Sequence, residues 1–194
     1  MAAERLRQQF MQDVNLYKPD MMGKSKYGPL PNVDMFATYA NRDCSDAGVH
    51  PTRNAGIAGS IKEGGAYSVC LSGGYEDDKD DGDFFVYTGT GGQEDSWSGH
   101  GKQTCDQDFD HPHNAALKIS AETRRPIRVV RGSNRDSEWA PVEGFRYDGL
   151  YIVERAYYDK GKSGFRVCKY DIRRVPNQAP IPKNPDYMGA RRYH

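Results

Sequence analysis

The chain has 194 residues, enough for one domain with a substantial core, and its 27 Lys and Arg residues are matched by 27 Asp and Glu, so net charge alone identifies no polyanionic partner. No apolar run approaches membrane-spanning length, and the N-terminus lacks a signal-peptide core. The four cysteines, at 44, 70, 105 and 168, include no Cys-x-x-Cys pair. That excludes a zinc-finger or disulfide framework and predicts a reducing, intracellular compartment.

In chain order, Leu6, Phe10 and Val14 stand four apart and predict an amphipathic helix over residues 1–16, broken by Pro19 and Gly23. Met35–Ala40 opens the first strand. Residues Ala66–Leu71 alternate, with Tyr67, Val69 and Leu71 on one side, which predicts a half-buried strand ending at Ser72-Gly73-Gly74. Phe84–Thr88 is aromatic and β-branched and reads as the returning strand. A short helix is predicted over Asn114–Ser120, and strands over Ile127–Arg131, Leu150–Tyr157 and Phe165–Ile172. Lys160–Gly164 has the composition of a hairpin turn. His111-Pro112-His113 lacks further metal ligands and reads as a surface turn. Past Val175 prolines and polar residues predict an extended tail. Strands outnumber helices, so the class is α+β. The organisation is residues 1–23 as helix and linker, 24–175 as the domain and 176–194 as the tail.

The run Ala58–Gly89 carries two tyrosines, Tyr75 and Tyr87, separated by an acidic loop that contains Asp78. Two aromatic rings and a fixed carboxylate can hold an extruded nucleotide base: ring faces sandwich it and the acid accepts from an exocyclic amine. The bland alternative is core or rim tyrosines beside a solvated loop. A calcium loop is excluded because Lys79 would occupy a ligand position and Thr88 the closing glutamate. A P-loop is excluded because Gln103 follows Gly101-Lys102 and Ser96 replaces its first glycine.

Gly48-Val49-His50, Ala55-Gly56-Ile57 and GAYSVCLSGGYEDDKDDGDFFVYTGTGG, then Cys105-Asp106-Gln107, Arg125–Arg131, Tyr147-Asp148-Gly149 and Lys162-Ser163-Gly164-Phe165, resemble in order the SRA (SET- and RING-associated, YDG) domain. The resemblance spans roughly residues 27–174. It implies a curved, barrel-like, mostly antiparallel sheet of PUA-like type with flanking helices. It also implies a non-catalytic reader of 5-methylcytosine in duplex DNA that flips the modified base and needs no metal or cofactor. Tyr75 and Tyr87 would stack on the base and Asp78 would accept from the cytosine N4 amine. Thr88 and the backbone of Ser72, Gly73 and Gly74 would complete the edge and take the methyl. A carboxylate would face the O4 acceptor of thymine and so reject it. Burial of the methyl, at about 0.8 kcal/mol per carbon, gives only a several-fold preference, so stronger discrimination needs shape exclusion.

Two loops of the family enter the DNA grooves. The first maps to Arg53-Asn54-Ala55-Gly56, with Asn54 or a neighbour filling the gap left by the base. The second lies between Gly92 and Cys105. An Asn-Lys-Arg tip of the animal relatives, which favours hemimethylated CpG, is replaced here by Ser98-Gly99-His100-Gly101-Lys102. His100 or Lys102 reaches the groove, or the segment is a glycine-rich surface loop. Charge is segregated: eleven acids against two lysines over Glu76–Asp110, then five arginines and no acid over Arg124–Arg135. That predicts a basic face tracking phosphates and salt-sensitive binding. The expected partners are methylated duplex DNA and, by family analogy, a DNA methyltransferase or chromatin proteins, in the nucleus. Two rival readings are the specificity domain of a modification-dependent endonuclease and a protein-interaction module. The chain is expected to be either a stand-alone reader or one domain of a longer protein.

Overall fold

The computed structural model describes residues 26–40, 43–94 and 102–189, so the helix predicted over residues 1–16 lies outside the described residues. In chain order the elements are β1 (Thr38–Tyr39), β2 (Ile57–Ser60), β3 (Gly65–Leu71), β4 (Lys79–Asp80), β5 (Phe84–Thr88), α1 (Pro112–Thr123), β6 (Ile127–Gly132), β7 (Phe145–Lys160) and β8 (Arg166–Arg174). The strands form one open sheet in the order β2-β3-β6-β7-β8-β5-β4, with β1 paired to β7. Pairing is antiparallel except between β3 and β6, so the sheet is mixed. The α+β class and the mostly antiparallel sheet stand as expected; α1 is the one α-helix among the described residues.

All seven residues of β3 are buried, although alternation predicted a half-buried strand. The reason is that both faces are covered. Ala66, Val69 and Leu71 join the main core with Phe85, Tyr151 and Tyr170, while Cys70 joins a second cluster with Cys44, Val49, Val130 and Tyr147. Helix α1 docks on the start of β3 through Ser120, whose hydroxyl accepts from Ala66 N at 2.8 Å and donates to Ala66 O at 3.0 Å. Gly65 is required there: its φ is +120° and a Cβ would lie 2.7 Å from Ser120 Oγ. His111 caps α1, its Nδ1 accepting from His113 N at 3.3 Å with Pro112 at the first helical position, so the His-Pro-His turn is a helix start.

Strands β7 and β8 are longer than predicted and form a hairpin whose register runs from Tyr151↔Arg174 to Lys160↔Arg166. Its turn closes at the expected Lys160–Gly164 segment, with Gly161 N donating to Phe165 O at 2.8 Å. The segment after Val175 is extended but anchored. Gln178 bonds both backbone groups of Leu150 and Ile181 is buried in the main core.

The arginine-rich stretch is not the uniform basic face that charge counting predicted. Arg128 and Arg131 are interior, 2% and 0% exposed. Arg128 donates to the carbonyls of Lys26, Gly28 and Val49, strapping the N-terminal segment to the sheet. Arg131 reaches Asp148 at 2.5 Å and forks onto Asp80 at 2.7 and 2.9 Å. Arg146 donates to the other side of Asp148 at 2.5 Å. The Tyr-Asp-Gly triplet is therefore structural: Tyr147 pairs its backbone with Phe36 and Ala37, Asp148 is the fully buried counter-ion, and Gly149 sits at φ +96° against Gln178.

Removing one member of a buried ion network strands the others without a partner. We expect Asp148→Ala to lower the unfolding free energy by about 3–5 kcal/mol, measured by urea denaturation. A loss below about 1 kcal/mol, the level of an exposed pair, would show that the network contributes little.

Candidate nucleic-acid interface

The acidic loop between β3 and β5 forms one wall of a cavity of about 320 Å³, lined by Gly73, Tyr75, Asp78, Asp80, Arg131 and Asn134 among others. Of the residues predicted to form a base pocket, Gly73, Tyr75 and Asp78 line this cavity. Ser72 and Gly74 flank it on the same half-buried turn. Tyr87 and Thr88 end β5, are 5% and 1% exposed, and are not among the residues that line this cavity; they sit in the interior behind it. Tyr87 packs edge-on against Phe85, and its hydroxyl donates to Cys70 O at 3.4 Å.

Asp78 is the chemical centre. Thr88 N donates to its Oδ1 at 2.8 Å, locking the acidic loop to the end of β5. Burial pushes the Asp78 carboxyl up to about 7, against the opposing pull of the Thr88 hydrogen bonds and the Lys169 ammonium. At neutral pH the group is therefore partly a neutral acid, where the sequence suggested a plain carboxylate. Burial likewise raises the Tyr75 and Tyr87 phenols, which stay protonated.

Each end of the loop has its own clamp. The Tyr75 hydroxyl accepts from Gly91 N at 3.2 Å. The Gly89–Gly92 strap is in turn held by Gln107, which donates to Gly89 O at 2.7 Å, by Asn114 on both backbone groups of Thr90, and by Gln103 on Gly91 O. The hairpin turn grips the outer side of the loop: Lys162 N donates to Asp77 Oδ1 at 3.1 Å, and the Lys162 ammonium and Ser163 hydroxyl bond Glu76. Lys169 donates to Asp77 O at 2.7 Å and to Thr88 Oγ1 at 3.3 Å. Sequence reasoning missed Lys169, Gln107 and Asn114. Lys169 faces Thr88 only because β5 pairs with β8, and strand pairing across eighty residues leaves no local trace.

The first groove loop precedes β2. Arg53 and Asn54 are exposed at its tip, and Arg53 forks onto Asp46 at 2.7 Å. Ala55 and Gly56 form its half-buried root. In the second loop, Ser98 and His100 lie outside the described residues. Lys102 is exposed, and its carbonyl accepts from Glu94 N at 3.1 Å, beside a bridge between Gln93 and Gln103 that closes the base of the loop.

The SAD/SRA domain profile matches residues 26–178. A UHRF1-like protein of Cryptococcus neoformans var. grubii is 46% identical over 166 residues, covering 81% of this chain and 48% of its own length. The E3 ubiquitin-protein ligase ORTHRUS 2 of Arabidopsis thaliana is 44% identical over 183 residues, covering 89% of this chain and 28% of its own. The chain thus spans half or less of the curated relatives it matches. Among solved structures, a modification-dependent TagI restriction endonuclease superposes with TM-score 0.72 at 37% identity, over 84% of this chain and 58% of that one. The SRA domain of SUVH5 in complex with hemimethylated CG DNA superposes with TM-score 0.65 at 32% identity, over 80% of this chain and 98% of that one. Profile, relatives and fold agree, and the chain belongs to the SAD/SRA domain family.

Proposed function

We propose that this domain reads 5-methylcytosine in duplex DNA by turning the base out of the helix into the pocket of Tyr75, Asp78, Tyr87 and Thr88, with Ser72–Gly74 beside the methyl. The observation that carries the reading is Asp78: a part-buried carboxyl in a cavity wall, fixed by Thr88 and placed beside Tyr75. Solved relatives bound to hemimethylated and hydroxymethylated CG DNA support it. The domain acts as a reader without catalysis, in the nucleus, and recruits methylation-maintenance or chromatin proteins to the marked site. The likeness to an endonuclease supports a second setting for the same reader, as the specificity part of a nuclease.

The protonation state of Asp78 sharpens the chemistry. Cytosine offers an N4 donor and an N3 acceptor on its pairing edge. A carboxylate has two acceptors and repels N3; a neutral acid has one acceptor and one donor and matches both. With Thr88 N donating to Oδ1, the proton in this reading sits on Oδ2, to be donated to N3.

Two outcomes are expected. In fluorescence-anisotropy titrations of one short duplex in unmethylated, hemimethylated and fully methylated forms at fixed salt, a methylated form binds tightest. Asp78→Ala weakens that form by about ten- to a hundredfold, the loss of two neutral hydrogen bonds at about 0.5–1.5 kcal/mol each, and erases the preference. Equal binding of all three forms by the wild type would overturn the reading and favour an interaction module.

The second outcome concerns pH. The free Asp78 pKa is raised to about 7, so the neutral acid is fully present below that value and is lost above it. Affinity for the methylated duplex is expected to be flat below neutrality and to fall by up to about tenfold per pH unit above it. Asp78→Asn, which also carries one donor and one acceptor, should bind methylated DNA with no such slope. A wild-type slope of the opposite sign would assign binding to the carboxylate.

A further inference from the structure

The groove loop and the base pocket are far apart in sequence but share one contact. Gly56, at the root of the loop, lies directly on the Tyr87 hydroxyl: a Cβ there would fall well inside van der Waals distance of that oxygen, yet at an ordinary 3.8 Å from Tyr87 Cζ. The same oxygen donates to Cys70 O at 3.4 Å, and Cys70 N donates to Gly56 O at 2.8 Å. Gly56, Cys70 and Tyr87 thus close a small ring of contacts between loop root, β3 and β5. Gly56 is not in the left-handed region, so backbone conformation does not require glycine here; the nearness of Tyr87 does.

One residue farther out, the loop is held by His50. This histidine is 1% exposed. Its Nε2 lies 2.7 Å from Ala55 O and its Nδ1 2.8 Å from Ser68 Oγ on β3. A carbonyl can only accept, so Nε2 carries a proton and donates, with Thr52 Oγ1 3.0 Å from the same nitrogen. Thr52 Oγ1 adds a second bond to Ala55 O at 3.1 Å. The loop is therefore closed on itself by His50 and Thr52, and pinned to β3 by His50 and to this ring of contacts by Gly56.

We infer that His50 and Gly56 are positioning residues that register the groove loop, with Asn54 at its tip, against the Tyr87 ring, so that filling the vacated base position and capturing the base occur on one rigid unit. The inference rests on the base-extrusion reading. It predicts that loosening the root costs recognition of the modified base while leaving sequence-independent phosphate contacts in place.

The test uses the full chain and the same duplex in methylated and unmethylated forms, with 2-aminopurine beside the methylcytosine to report unstacking. Gly56→Ala should lower affinity for the methylated duplex by about tenfold or more and suppress the 2-aminopurine signal, a loss severalfold greater than the same variant shows on the unmethylated duplex. Removing the obstructing oxygen should restore much of the loss, so Gly56→Ala with Tyr87→Phe should bind methylated DNA better than Gly56→Ala alone, a coupling seen only if the contact operates. His50→Ala should behave like Gly56→Ala, and His50→Gln, which keeps an amide donor and acceptor, should recover much of the preference.

Equal losses on both duplexes, or no recovery in the double variant, would overturn the inference while leaving the reader assignment intact. A wild-type protein without methyl preference would overturn the reader assignment first, and this inference with it.

Discussion

Arg131 is the fixed point of the domain. Its guanidinium, fully buried on β6, divides its donors between Asp148 on β7 and Asp80 on β4, with Gly82 O and the Tyr151 hydroxyl completing the shell. A buried cation is tolerable only when its donors are satisfied, and this one holds strands that are distant in sequence. Asp80 lies two residues past Asp78, so the clamp that stabilises the sheet also sets where the pocket acid stands. Ser137 donates to Asp80 at 2.6 Å and draws the loop after β6 into the same cluster.

The acidic loop then takes on a meaning that composition conceals. It is not a solvated run of charge. Asp77 meets the hairpin turn and Lys169, Asp78 meets Thr88, and Asp80 meets Arg131 and Ser137. Most of these groups are paired inside the domain, which is how a chain of zero net charge can carry both a dense acidic loop and buried arginines. The exception in character is Asp78. Its desolvation outweighs its partners and drives its pKa up, while, against Asp80's own desolvation, the hydrogen bonds and charge of Arg131 hold Asp80 below the usual carboxylate range.

Local features were legible in the sequence wherever periodicity or turn chemistry is local. Phe84–Thr88 is a strand with the expected bounds, and the Lys160–Gly164 turn closes the hairpin it promised. The candidate residues Gly73, Tyr75 and Asp78 do meet at one cavity. What the sequence hid was non-local. Alternation in β3 suggested one wet face, but α1 and the N-terminal segment cover both. Arginines 128 and 131 counted as surface charge, but Arg128 turns inward onto the carbonyls of Lys26, Gly28 and Val49, and Arg131 onto Asp148 of β7 and Asp80 of β4. The Gly56–Tyr87 contact joins residues thirty-one apart across two strands, and no window of sequence contains it.

The most direct test of the account is a crystal structure of the domain bound to a short hemimethylated CpG duplex. The account predicts the methylcytosine outside the helix with its ring against Tyr75 and Tyr87, its N4 and N3 within hydrogen-bond distance of the Asp78 carboxyl, and Asn54 at the vacated position. A methylcytosine still stacked in the duplex, with the Asp78 cavity empty and the DNA held on another face, would contradict it.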